Sequence, residues 1–181
     1  MAESRIATLS RPLDGRQTIL AGVAIVPRPL ALKLSLRVPE SAIADAGAAF
    51  GLDLPTQPCR SVTSGTRSAL WLGPDEWMIV DENAEAPVPA LAAPGSVVDI
   101  SHRNCTIEIS GALAEPTLAA GCPLDLALPS FPVGKCTRTV LAKAEIILWR
   151  TGEQAFRVDC WTSFAEYVFT YLSRAAQAAR Y

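Results

Sequence analysis

Residues 32–38 alternate strictly, with Leu32, Leu34, Leu36 and Val38 on one face and Lys33, Ser35 and Arg37 on the other. That period of two predicts a strand buried on one side. Pro39 and Ser41 then introduce an alanine-rich stretch to Phe50, where helix formers dominate and Gly51 offers a stop. After a loop marked by Pro55 and Pro58, residues 60–64 predict a short strand, which leads through Gly65 into residues 70–80, LWLGPDEWMIV. Here two apolar runs flank Gly73-Pro74-Asp75, the signature of a hairpin. Trp71 and Trp77 bring large apolar area to that turn, and each indole N–H needs a partner if it is buried.

Residues 81–94, with Pro87, Pro89 and Pro94 among alanines, read as a loop. Beyond it, residues 97–100 and 105–109 predict strands around the polar bend 101–104, and residues 113–120 predict a short helix with Pro116 near its start and Gly121 past its end. Residues 123–132 are irregular and predict a long loop lying on the core. Residues 137–150 and 154–161 form the strongest strand pair, joined by Thr151-Gly152-Glu153, with Phe156, Val158 and Cys160 on one face and Arg157, Asp159 and Trp161 on the other. A last helix follows from a capping box, Ser163 with Glu166. Phe164, Tyr167, Val168, Tyr171, Leu172 and Ala175 line its expected core stripe. Residues 1–28, polar and interrupted by prolines, predict an extended N-terminal arm with one short strand.

These elements predict an α+β fold, a compact single domain over residues 29–181 with a mixed or antiparallel sheet and segregated helices. It reads as two βαβ-like halves, about 29–81 and 95–181. A chain of 181 residues, half of them hydrophobic, closes one sizeable core. Net charge is −2 and the basic residues are scattered, so the footprint of a nucleic-acid binder is missing. No stretch is long enough to cross a membrane; the apolar run 19–26 is too short and has acidic residues upstream. Five widely spaced cysteines without a C-x-x-C pair, and a single histidine, argue for free thiols in a reducing cytoplasm and against a metal site.

Chemistry is sparse. Asp99, Ser101 and His102 stand together, but along one extended strand Asp99 and Ser101 share a face and His102 takes the other, so a nucleophilic relay would need a bend at Ser101. Turn-capping by Asp99 and Ser101 and a surface or interface His102 are preferred. Lys135 and Arg138 would lower the pKa of Cys136 if they lie close, although a structural cysteine is preferred. No dinucleotide or P-loop glycine pattern is present. The expectation is no catalytic, cofactor-binding or metal-ligating residue on this chain. Trp71, Trp77, His102, Arg103 and Trp161 are the candidate interface residues.

The order LGPDEW, DISHR, KCTRT, LWR and SFAEY, over about residues 30–175, resembles the gamma subunit of heterotetrameric bacterial sarcosine oxidases. More distantly, it is similar to the folate-binding fold of aminomethyltransferases, which contains a ferredoxin-like unit. Gly134-Lys135-Cys136 resembles that fold's K-G-C-Y motif with Gly and Lys exchanged and the tyrosine and G-Q-E absent. The resemblance implies an accessory, non-catalytic subunit held by alpha, beta and delta chains. In such a complex, sarcosine is oxidatively demethylated to glycine, tetrahydrofolate accepts the one-carbon unit, and peroxide is the by-product. FAD, FMN, NAD, tetrahydrofolate and zinc would be held by the other subunits. An independent folate-binding one-carbon protein and a homo-oligomeric structural module are the alternatives.

Overall fold

Continuous apolar runs such as 77–80 give a sheet two faces to bury, and the fold uses both. A computed structural model of the chain describes residues 12–92 and 94–180. In chain order the elements are strands β1 (Thr18–Leu20), β2 (Val23–Pro27) and β3 (Leu32–Arg37), helix α1 (Ile43–Phe50), then strands β4 (Ser61–Ser64), β5 (Arg67–Gly73), β6 (Glu76–Asp81), β7 (Ser96–Asp99) and β8 (Asn104–Ser110). Helix α2 (Ala114–Ala119), strands β9 (Cys136–Leu141), β10 (Ala144–Gly152) and β11 (Ala155–Trp161), and helix α3 (Ala165–Ala178) complete it.

The strands form two antiparallel sheets: a five-stranded one ordered β4-β5-β6-β3-β7 and a six-stranded one ordered β1-β2-β8-β11-β10-β9. On one face of the five-stranded sheet, Leu34, Leu36, Trp77 and Ile79 pack with Ala46 and Phe50 of α1. On one face of the six-stranded sheet, Ile107, Ile109, Ile146, Leu148 and Phe156 pack with Leu118 of α2 and Val168, Phe169 and Leu172 of α3. The remaining faces meet each other, where Leu70, Met78 and Val80 contact Cys136, Ile147 and Trp149. Helices therefore lie outside and the sheets back to back, so the α+β class is as the periodicity indicates. Burying each large apolar side chain contributes about 1.5–3 kcal/mol, which is why three separate clusters suffice to hold four layers.

Local signals explain most element ends. The α1 helix stops at Gly51, whose φ of 66° is a left-handed conformation glycine adopts at little cost. The β5–β6 hairpin sets Trp71 directly across from Trp77, and the Trp77 indole N–H donates to Pro55 O at 2.8 Å. The long loop 123–132 is held by buried Arg150, whose guanidinium donates to Leu126 O at 2.8 Å and Phe131 O at 2.9 Å.

Three expectations about these elements are corrected. Residues 1–11 lie outside the described residues, but residues 18–27, expected within an arm with one short strand, form the β1–β2 hairpin. It joins the six-stranded sheet through β8, with Ile25 opposite Ile109. The single strand 137–150 is two strands, β9 and β10, because Ala142 turns the chain at φ 52° without any glycine to announce it. The two strands expected around the bend 101–104 are present as β7 and β8; they belong to different sheets, and the bend carries the chain across. The Ser163–Glu166 capping box is absent: a short 3₁₀ turn, Thr162–Phe164, precedes α3, and Glu166 instead pairs with Arg16 at 3.0 Å.

Candidate functional site at the seam between the sheets

Around Lys33 and Asp159 the predicted polar faces of β3 and β11 are not wet; there they face each other across the seam. Lys33 projects from β3 and Asp159 from β11, and their Nζ and Oδ1 atoms lie 2.7 Å apart with both side chains 3% exposed. Thr106 on neighbouring β8 donates its hydroxyl to the same carboxylate oxygen at 2.6 Å, and Lys33 Nζ donates to Asn104 O at 3.1 Å. A buried charge left without a partner is costly, so these groups form one unit that depends on all its members. Cavities of about 120 Å³ and about 210 Å³ flank the pair. Asp159 lines the first and Lys33 the second.

The bend 99–103 is built around Ser101. Its hydroxyl donates to Asp99 Oδ1 at 2.6 Å and accepts the Lys33 backbone N–H at 2.9 Å, and its own N–H donates to Asp99 Oδ1 at 2.8 Å. These bonds from the Ser101 hydroxyl and N–H hold Asp99 below the ordinary carboxylate range. The serine is thus bound to aspartate and to backbone, and the exposed His102 lies beyond them. This geometry caps a crossover and offers no serine–histidine relay.

Cys136 is fully buried, and its thiol donates to Trp71 O at 3.6 Å. Burial, reinforced by nearby Cys59, pushes its pKa up to about 12, the reverse of what Lys135 and Arg138 suggested from sequence. Arg138 is occupied across the seam by Glu76, with Nη1 to Oε2 at 3.0 Å, and that bond lowers the Glu76 pKa. Among the described residues, no group of three or more metal-ligating side chains comes together.

The candidate interface residues divide. Trp77 is 0% exposed and is removed from the interface set, since its size and turn position served the core. Trp71 is half-buried against the α1-facing cluster. His102, Arg103 and Trp161 are exposed and come together, because Thr162 Oγ1 donates to both His102 O and Arg103 O at 2.9 Å. The Arg103 guanidinium stacks 4.7 Å over the Trp161 ring, and Phe164 meets that ring edge-on at 6.4 Å. Lys33, Asp159 and Arg150 escape a sequence reading. Each looks like a solvated charge until the layer that covers it is known.

Comparison with known proteins is consistent in direction. The sequence profile described as the Sarcosine oxidase, gamma subunit family matches residues 38–178. The chain is 38% identical over 132 residues to sarcosine oxidase subunit gamma of Corynebacterium sp. (strain P-1), covering 68% of this chain and 64% of that one. It is 36% identical over 132 residues to that of Corynebacterium sp. (strain U-96), covering 69% and 64%. The match therefore spans less than two thirds of the length of these relatives. Among solved structures, a chain of the heterotetrameric sarcosine oxidase from Corynebacterium sp. U-96, in complex with pyrrole 2-carboxylate, superposes with a TM-score of 0.78 at 30% identity, covering 87% of this chain and 85% of that one. The glycine cleavage system aminomethyltransferase T from Bartonella henselae gives 0.66 at 13% identity, covering 83% and 45%, a likeness of fold alone.

Proposed function

Because this chain belongs to the sarcosine oxidase gamma subunit family, we propose that it is an accessory subunit of a heterotetrameric oxidase, acting by assembly with alpha, beta and delta chains in the cytoplasm. The reaction of that complex would be the oxidative demethylation of sarcosine to glycine, with tetrahydrofolate accepting the one-carbon unit and peroxide released. One observation carries the accessory role: among the described residues, the grouping of serine, histidine and aspartate at 99–102 is spent on holding the crossover between the sheets, with Ser101 bonded to Asp99 and to the Lys33 backbone. No helix among the described residues is long and apolar enough to cross a membrane.

Co-expression of the tagged full chain with its flavoprotein partners, followed by size exclusion and an absorbance scan, tests this. The expected result is a stoichiometric yellow complex, with neither flavin nor folate on the chain alone. Stoichiometric folate binding or turnover by the isolated chain, without co-purification, would overturn it.

A further inference from the structure

The end of β11 and the turn that follows expose more aromatic surface than the fold needs. Trp161, Phe164 and Tyr167 are 43%, 40% and 39% exposed, beside the buried Ala165 and Val168 of α3. The geometry points to this patch as the docking face for another subunit of the assembly, one that presents an aspartate or glutamate flanked by apolar side chains.

Charge identifies the occupant. Arg103 lies flat on Trp161 at 4.7 Å, and no carboxylate among the described residues pairs with it. A guanidinium held on an aromatic face keeps its N–H donors ordered and pointing outward, so a carboxylate arriving there meets a preformed fork. Of the acidic residues around the patch, Glu76 is engaged by Arg138 and Glu166 by Arg16, while the exposed Glu145 lines the far side of the cavity. Self-pairing about a two-fold axis through Arg103 would set cation against cation, which favours a different chain over a second copy. Beneath Trp161 and Arg103, the cavity of about 120 Å³ opens between the sheets and reaches Ser35, Ile100 and Asn104, a socket for one apolar or amide side chain. The support is rigid: the Thr162 hydroxyl ties the strand end to the crossover at both His102 O and Arg103 O. Tryptophan, tyrosine and arginine on a preorganised base are the residue types that dominate binding energy at interfaces.

This face rests on the accessory-subunit reading, and the test separates the two. The full chain, as wild type and as the Arg103→Glu and Trp161→Ala variants, is titrated against the purified complex of the other subunits, with Val88→Ser as a control on an exposed apolar residue elsewhere. Arg103→Glu and Trp161→Ala are each expected to weaken binding by about 30-fold or more, the size of an interface hot spot, while Val88→Ser binds as wild type. Oxidative footprinting of the wild-type complex, which needs no variant to fold, is expected to protect Trp161 and Tyr167. If wild type binds tightly but the patch variants bind equally well and Trp161 stays reactive in the complex, the docking face is wrong and the accessory reading stands. If wild type binds no partner, or dimerises through Trp161, both fall.

Discussion

Lys33 shows how one side chain acquires meaning from what covers it. On a solvated strand face a lysine contributes little, whereas here its ammonium and the Asp159 carboxylate sit 2.7 Å apart between two sheets. Thr106 and Asn104 supply the remaining hydrogen bonds, so removing one charge leaves the other buried and unpaired. Lys33→Met is expected to cost about 3–5 kcal/mol in urea unfolding, and Lys33→Met combined with Asp159→Leu to recover most of it. A double-variant loss equal to the sum of the Lys33→Met and Asp159→Leu losses would show that the pair is not coupled. The same logic restrains the thiols. Cys105 lies directly across from Cys160, yet the pair sits where the two backbones exchange hydrogen bonds. There side chains stand too far apart for easy disulfide geometry, in keeping with no disulfide joining them.

Helix α3 is the element where periodicity came nearest and still missed. The expected stripe contained Phe164, Tyr167 and Tyr171, but the buried positions are Ala165, Val168, Phe169, Leu172 and Ala176, turning the core face toward smaller residues and one phenylalanine. The rotation follows from the 3₁₀ turn that replaces the capping box, which starts the helix at Ala165 and leaves Phe164 with Trp161. Tyr167 then accepts a long backbone N–H bond from Lys143 at 3.4 Å, and Tyr171 donates to Ala120 O at 2.8 Å. Phe169→Ala is expected to destabilise the fold by about 3–5 kcal/mol and Tyr167→Ala by less than about 1 kcal/mol, read as shifts in urea midpoint. The reverse order would restore the stripe read from sequence. Amphipathic spacing finds a helix readily because it needs only local order, but the angle of the buried face is decided by what the sheet presents to it.

For the molecule as a whole, titration should bound stability on both sides. Glu76, bonded to Arg138, and Asp99, bonded to Ser101, have lowered pKa values from ordinary values of 4.5 and 3.8. Their stabilisation is present above those values and is lost as pH falls through the folded-state values. Cys136 and Cys160 run the other way, since burial lifts each from 9.0 to about 12; the unfolded chain ionises first, so their contribution is intact below 9.0 and fades as pH rises toward about 12. Thermal melting is thus expected to be flat between about pH 5 and 9 and to fall on either side. A midpoint that climbs above pH 9 would show that the thiols ionise in the folded state. By itself the sequence determined most of the strands, the Trp71–Trp77 hairpin, the helices and their α+β class, because period-two alternation and turn chemistry are local, but it missed the β1–β2 hairpin and the break between β9 and β10. The motif series also pointed to the family, although no one motif carried a catalytic signature. Only the tertiary structure decided that β7 and β8 part into different sheets, that the sheets close back to back, and that the faces holding Lys33 and Asp159 are dry. A polar residue at every second position describes a strand equally well whether water or another sheet lies above it, so the covering layer, a long-range fact, had to be seen.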